Sequence, residues 1–289
     1  MNGPILLTDD MVRLPRRNPD THKGDYGKLL ILGGSVGYTG APTLCARAAV
    51  RSGAGLVYLG VPAPIYEITA VKNDEAMPFP LAADADGRVA AAAVYAVTEK
   101  LQSCGVCAAG PGLGRGEGVR ELISALLRGG GTPLVLDADG LNALSGHLDW
   151  LDAHDGVVVL TPHEGEFLRL GGVLTGDRAG DARRFAMEHG CTLILKGHRS
   201  VAAFPEGETF VTERGNPGMA KGGSGDVLTG ILAAMLGQFP GDVKRAVLTG
   251  MFLHALAGDL CRDRLGEYAM TATDLIETLP AATKFLMEA

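Results

Sequence analysis

The chain has 289 residues, 46% of them hydrophobic, which is ample for one large core, and one α/β domain fits that as well as two small ones. Its net charge of −7, with no Lys/Arg block longer than two residues, argues against nucleic acid and anionic membrane as partners. A small anionic substrate stays compatible with that balance, because a few local cations and backbone amides suffice to hold one.

Lys28 to Leu32 is a short apolar run ending at Gly33-Gly34 and reads as a buried strand. Pro42 to Arg51 reads as a helix with proline in its first turn. Leu56 to Gly60 is a second strand, and residues 62–87, with Pro62, Pro64, Pro78 and Pro80, read as irregular. An Ala-rich helix follows from Val89 to Leu101, then a strand from Val106 to Ala109 that feeds Gly110-Pro-Gly-Leu-Gly114. Helix Val119 to Leu127, strand Pro133 to Leu136, a short helix at Leu141 to Leu144 and strand Val157 to Leu160 continue the alternation. Arg178 to His189 is a helix, Thr192 to Leu195 a strand, and Val201 to Phe204 with Thr209 to Thr212 a hairpin. Three helices close the chain, at about 226–236, 242–263 and 272–287. Apolar runs alternating with helices predict a mostly parallel sheet covered on both faces, in one domain over 1–289.

The start, Met1 to Asp10, has neither a basic n-region nor a long apolar run, and no stretch approaches a membrane span, so a cytoplasmic enzyme is expected. Cys45, Cys104, Cys107, Cys191 and Cys261 are odd in number and lie mostly in apolar segments, as reduced core cysteines do. Cys104 and Cys107 match Cys-x-x-Cys, but no second pair or His-x3-His accompanies them.

Five polar signatures each follow the C-terminal end of a predicted strand: Gly33-Gly34, Gly110-Pro-Gly112, Asp137-Ala-Asp139, Thr161-Pro-His163 and Lys196-Gly197. Ligands of open α/β sheets bind beyond that edge. The densest signature comes later, at Gly215-Asn-Pro-Gly-Met-Ala-Lys-Gly-Gly-Ser-Gly-Asp226, directly before the apolar run Val227 to Leu236. Five glycines in eleven residues bring bare N–H groups close to a bulky anion, and the helix adds free N–H groups and its positive dipole end. Asp226 would repel a phosphate. Where loop meets helix it is placed as an N-cap or as a base acting on a group next to a phosphate. No Walker A pattern occurs anywhere.

Gly33-Gly-Ser-Val-Gly37 matches the nucleophile elbow Gly-x-Ser-x-Gly, and Asp137 or Asp139 and His163 follow in the order of a hydrolase triad. An elbow needs a helix starting right after the serine, whereas Gly37-Tyr-Thr-Gly40 intervenes here and makes a glycine loop suited to lying over a ligand. His163 is either a local hydrogen-bonding group or a substrate contact; Phe167 breaks any His-Glu-x-x-His site. Lys196-Gly-His-Arg-Ser200 offers cations and a hydroxyl to phosphate oxygens, though spacing alone favours a solvated hairpin start. Asp139 is expected to cap the helix near Leu141, and Asp137 stays open between structure and magnesium.

The run Gly215 to Asp226 resembles the signature of the ADP/ATP-dependent NAD(P)HX dehydratases, members of the ribokinase-like superfamily. Lys28-Leu-Leu-Ile-Leu-Gly-Gly-Ser35, Tyr38-Thr-Gly-Ala-Pro42, Gly110 to Gly114, Asp137-Ala-Asp-Gly-Leu-Asn142, Thr161 to Glu166 and Leu195-Lys-Gly197 match its other blocks in order, over residues 23 to 275 or so. The resemblance implies a three-layer α/β/α sandwich that dehydrates NADHX and NADPHX, water adducts of the reduced nicotinamide cofactors, at the expense of ADP or ATP with Mg²⁺. It implies Asp226 as general base. Ala41, Gly112, His163 and Asp226 would contact the hydrated dinucleotide. Lys196, Gly197, His198, Arg199 and Ser200, with Asn216, Pro217, Gly218, Met219, Ala220, Gly222, Gly223, Ser224 and Gly225, would contact the nucleotide. Metal ligands are not assigned. A homotetramer and a separate epimerase partner are implied as well, since only about 20 residues precede the first predicted strand. A ribokinase-like vitamin-precursor kinase is the close alternative. A non-catalytic nucleotide sensor is a more distant one, because a mere binder gains nothing from a carboxylate beside phosphates.

Overall fold

The computed structural model describes residues 3–288, so Met1, Asn2 and Ala289 and the readings that fall on them lie outside the described residues. The strands are β1 (Ile5–Leu6), β2 (Lys28–Leu32), β3 (Leu56–Pro62), β4 (Met77–Leu81), β5 (Val106–Ala109), β6 (Leu134–Leu136), β7 (Val158–Leu160), β8 (Thr192–Leu195), β9 (Val201–Ala203) and β10 (Thr209–Val211). They form one sheet in the order β1-β10-β9-β8-β7-β6-β5-β2-β3-β4. Pairing is parallel except at β8–β9 and β9–β10, the predicted hairpin.

Alternate residues of the central strands feed two separate cores. Leu29, Ile31, Val106, Ala108 and Val135 face one layer, and Leu30, Leu32, Cys107, Leu134 and Leu136 the other. The first layer is built from α1 (Gly40–Arg51), α8 (Ser224–Gln238), α9 (Val243–Leu265) and α10 (Ala272–Glu288). The second contains α3 (Val94–Leu101), α4 (Glu117–Arg128), α5 (Asp139–Leu144), α6 (Glu164–Arg169) and α7 (Arg178–Glu188). A strand buried on both faces reads as an unbroken apolar run, which is why these strands were visible in the sequence. Among the described residues no helix is long and apolar enough to cross a membrane. All five cysteines are buried free thiols, and burial pushes Cys191 up to about 12 and Cys107 up as well.

The segment expected to be irregular holds α2 (Tyr66–Lys72) and β4. β4 is an edge strand, and Pro78 and Pro80 are two residues apart, so their missing N–H groups both face its open side. The Ala-rich helix begins as a 3-10 turn at Ala91–Ala93 rather than at Val89, which bridges to Ala83. β1 and α6 are additions, two and six residues long, too short for a periodic signal.

One close approach positions the site. A Cβ on Gly230 of α8 would lie 2.1 Å from the Cys45 carbonyl of α1 and 3.0 Å from the Ala48 Cβ. Small residues on α1 thus let the two helices touch backbone to backbone, bringing the N-terminal turn of α1 against that of α8. Gly230→Ala is expected to lower stability by about 1–3 kcal/mol through overpacking, read as a drop in melting temperature; an unchanged Tm would contradict this contact.

Candidate active site

The glycine-rich segment forms an open cradle. Asn216 caps a 3-10 turn at Pro217–Met219 by accepting from the Gly218 N–H at 3.0 Å, and its amide donates to the Gly258 carbonyl at 2.9 Å. Gly218 is buried with no room for a Cβ, which would sit 2.4 Å from the Met270 sulfur, and Met219 packs against Gly258 of α9. Lys221 Nζ donates to the Tyr268 and Met270 carbonyls at 2.6 and 2.7 Å, clamping the loop to the α9–α10 connection. Gly223, at φ +95°, turns the chain into α8; a side chain there would strike Leu44 and Ala272. By contrast, nothing lies within 4 Å of a Cβ on Gly222. The loop is anchored from behind by side chains, and its backbone from Gly222 to Gly225 leads into the positive end of α8.

Helix α8 begins at Ser224, so Asp226 is its third residue and not its N-cap, a position held by Gly223. Among the described residues no hydrogen bond reaches the Asp226 carboxylate. Burial, and then the negative charge of Asp137, push its pKa up to about 7; Asp139 adds to this and Lys196 opposes it. The half-buried His254 of α9 holds the first turn from below, with Nε2 3.0 Å from the Ser224 carbonyl. Burial draws that imidazole down to about 4, so it is neutral and donates Nε2–H.

Under the cradle the buried Asp137 carboxylate pairs with the half-buried Lys196 ammonium. Lys196 Nζ donates to Asp137 Oδ1 at 2.6 Å, Thr229 Oγ1 donates to Asp137 Oδ2 at 2.9 Å, and Glu166 Oε2 is 3.6 Å from the same ammonium. Burial raises the Asp137 carboxyl, but the charge and hydrogen bond of Lys196 and the Thr229 hydroxyl outweigh it, leaving the group below its ordinary range. Lys196 shows the mirror image: burial lowers it, and Asp137 and Glu166 raise it more. A Cβ on Gly225 would lie 3.4 Å from Lys196 Nζ and 3.5 Å from Asp137 Oδ2, so the pair touches the anion loop itself.

Lys196 is therefore no solvated hairpin start, and Asp137 has both oxygens engaged by protein. The rest of that segment does lie at the surface: Gly197, His198 and Arg199 are exposed, Arg199 pairs with Glu213, and Ser200 Oγ donates to the Gly197 carbonyl at 3.1 Å. Asp139 does not cap its helix. Its Oδ2 accepts from the Gly114 N–H at 2.8 Å and its Oδ1 from the Asn142 amide at 3.1 Å, which ties two strand-end loops together.

Ala41 and Gly112 meet although far apart in sequence: a Cβ on Gly112, at φ +68°, would lie 3.2 Å from the Ala41 Cβ. One turn further along α1, the buried Cys45 thiol is pushed up first by burial and then by Asp226, which places this face of α1 beside the carboxylate. His163 is the N-cap of α6. Its Nδ1 accepts from the Gly165 and Glu166 N–H groups at 3.0 and 3.3 Å, while Glu166 reaches back to the His163 N–H. A neutral ring so used carries its proton on Nε2, on a side chain 55% exposed. A bridge pairs His163 with Lys196. Ser35 is only 3% exposed and donates to the Gly112 carbonyl at 2.8 Å, so the elbow reading fails: the hydroxyl is spent on holding the glycine loop.

No group of three His, Cys, Asp or Glu side chains stands ready for a metal ion among the described residues. A magnesium ion carried on phosphates needs only one or two carboxylates, because substrate oxygens and waters complete its shell. The sequence reading missed Thr229, Glu166, Lys221 and His254. A lone threonine in the apolar run after Asp226 was a signal for the first; the others act through contacts that no spacing reveals.

The sandwich is that of a ribokinase-like protein. A profile described as NAD(P)H-hydrate dehydratase matches residues 29–281, and the chain belongs to this family. It is 43% identical to the bifunctional NAD(P)H-hydrate repair enzyme Nnr of Moorella thermoacetica over 98% of its own length but 54% of that protein, so it spans about half of such bifunctional relatives. It is 34% identical to the ADP-dependent (S)-NAD(P)H-hydrate dehydratase of Bacillus subtilis, covering 98% of this chain and 99% of that one. The crystal structure of the Bacillus subtilis ADP/ATP-dependent NAD(P)H-hydrate dehydratase, co-crystallised with ATP/Mg²⁺, superposes with a TM-score of 0.84 at 32% identity, covering 99% of each chain.

Asp137→Asn is expected to destabilise the fold by about 1–3 kcal/mol, because it removes the charge-assisted hydrogen bond of Lys196 and leaves Glu166 as that ammonium's remaining ion-pair partner. It also removes a like charge from Asp226 and frees Lys196 toward it, so the acidic limb of the pH–activity profile is expected to move to lower pH. Denaturant unfolding and a pH–rate profile check the two; a profile moving to higher pH would contradict the electrostatics.

Proposed function

We propose that this chain dehydrates NADHX and NADPHX to NADH and NADPH, consuming ADP or ATP. The observation that carries the proposal is one uncommitted carboxylate, Asp226, with a pKa raised to about 7, at the mouth of a backbone anion cradle. A base of that strength is ionised in part at neutral pH and still basic enough to accept a proton. The carboxylate takes the proton of the ring hydroxyl, whose oxygen attacks the terminal phosphorus of the nucleotide. The bond to the departing AMP or ADP breaks, and the ring is left as a phosphate ester. Hydroxide is a poor leaving group and phosphate a good one. The ring C–O bond then breaks with its electron pair leaving on phosphate, and loss of a proton from the adjacent carbon restores the reduced nicotinamide.

Backbone N–H groups of residues 222–225 and the α8 dipole supply the stabilisation of spread charge on which phosphoryl transfer depends. Mg²⁺ on the nucleotide phosphates would neutralise further charge, and no residue is assigned to it. Ala41, Gly112 and His163 are proposed to contact the dinucleotide, and Lys196 to Ser200 with the Asn216 to Gly225 loop the nucleotide. For Gly218 and Met219 the contribution is to shape that loop. A single continuous sheet supports one domain. A cytoplasmic homotetramer working with an epimerase completes the proposal; the fusion of repair activities in bifunctional relatives supports the last point.

The test is to mix the protein with NADHX, Mg²⁺ and ADP or ATP and follow recovery of the reduced-nicotinamide absorbance. Rate is expected to rise with pH through about 7, because the working form of Asp226 is the deprotonated one. Asp226→Asn is expected to lose ~10²–10⁴-fold in kcat with nucleotide binding retained. An active variant would remove the assigned base, and a stable phosphorylated product would instead identify a kinase.

A further inference from the structure

A second cleft, of about 200 Å³, opens beside this site and is lined by Arg115, Arg120, Asp139, Asn142 and Arg169 among others. A chain of hydrogen bonds makes its floor. The Gly114 N–H and the Asn142 amide donate to the two oxygens of Asp139 at 2.8 and 3.1 Å, and Arg169 Nε donates to Asn142 Oδ1 at 3.1 Å. The chain occupies the one carboxylate that lines the cleft. It also holds Arg169 by a single nitrogen, leaving the guanidinium's two terminal nitrogens without a side-chain acceptor. Arg115, Arg120 and Arg169 have no carboxylate partner among the described residues, whereas Arg88, Arg178 and Arg214 each do. Three guanidiniums thus face one engaged carboxylate, in a chain whose net charge is −7.

Planar guanidiniums with free donors match phosphate oxygens in pairs. The cleft adjoins the proposed substrate contacts through one loop: Gly112 is two residues before Gly114, which lines the cleft, and the charge of Asp139 is felt at Asp226. Its volume is below the ~300–1,000 Å³ of a pocket that takes a whole small ligand, so it suits one end of a longer molecule. A hydrated dinucleotide has that form, with a neutral ring to meet Asp226 and phosphates several bonds away.

We propose that the cleft of Arg115, Arg120 and Arg169 binds a phosphate group of the dinucleotide substrate and sets its affinity. This rests on the dehydratase reading. The phosphate is either the diphosphate bridge common to both substrates or the 2′-phosphate of NADPHX, and kinetics separates them. Arg115→Gln/Arg120→Gln, two exposed positions, would be assayed with NADHX and NADPHX at saturating ADP and Mg²⁺, with melting temperature as the folding control. A roughly tenfold or greater rise in KM, as for loss of one charge-assisted contact, is expected to appear in KM and not in kcat, and to leave the KM for ADP in place. A rise for both substrates assigns the diphosphate, and a rise for NADPHX alone assigns the 2′-phosphate. Unchanged KM for both, or a rise confined to ADP, would overturn the proposal. A wild-type protein inactive on both substrates would instead overturn the dehydratase reading and this inference with it.

Discussion

Asp226 stands half-buried beside a second carboxylate, Asp137, and what decides its chemistry is that only one of the two is neutralised. Lys196 and Thr229 satisfy Asp137 from below and hold it ionised. Asp226 receives no such partner and bears both the burial and the neighbour's charge. Two like groups in one site are driven apart in pKa, one becoming a fixed charge and the other a titrating base. Replacing the ion pair with apolar groups could be neutral for stability, but it would remove the charge that tunes Asp226. Glu166 extends the network from the Lys196 ammonium to the His163 cap of α6.

The sheet assembles these groups by a simple rule. Each parallel strand ends on the same edge, so the loops after β2, β5, β6, β7 and β8 converge whatever their distance in sequence. The glycine-rich loop leaves the same edge, after β10, which runs in the direction of β8, and its seat against α1 depends on the glycine contact between α1 and α8. Side chains around it (Asn216, Met219, Lys221, His254) secure it from behind.

Much of this was legible in the sequence. The buried strands announced themselves as apolar runs, and glycine clusters marked the loops at their ends. Where reading failed, the reason is local. Pro78 and Pro80 argued against a strand because nothing in the sequence says that β4 is an edge. Asp139 looked like a helix cap because Gly114, its partner, lies on another loop. Lys196 looked solvated because its acceptor, Asp137, is far away in the chain. Long-range polar pairs leave no periodic trace, and such pairs set the electrostatics of this site.

The most direct measurement is the titration of the Asp226 carboxyl itself. Carbon-13 NMR of the ligand-free protein, with the resonance assigned by its loss in Asp226→Asn, is expected to give a midpoint of about 7. A midpoint close to the ordinary aspartate value of 3.8 would show a solvated surface acid and contradict its assignment as the base.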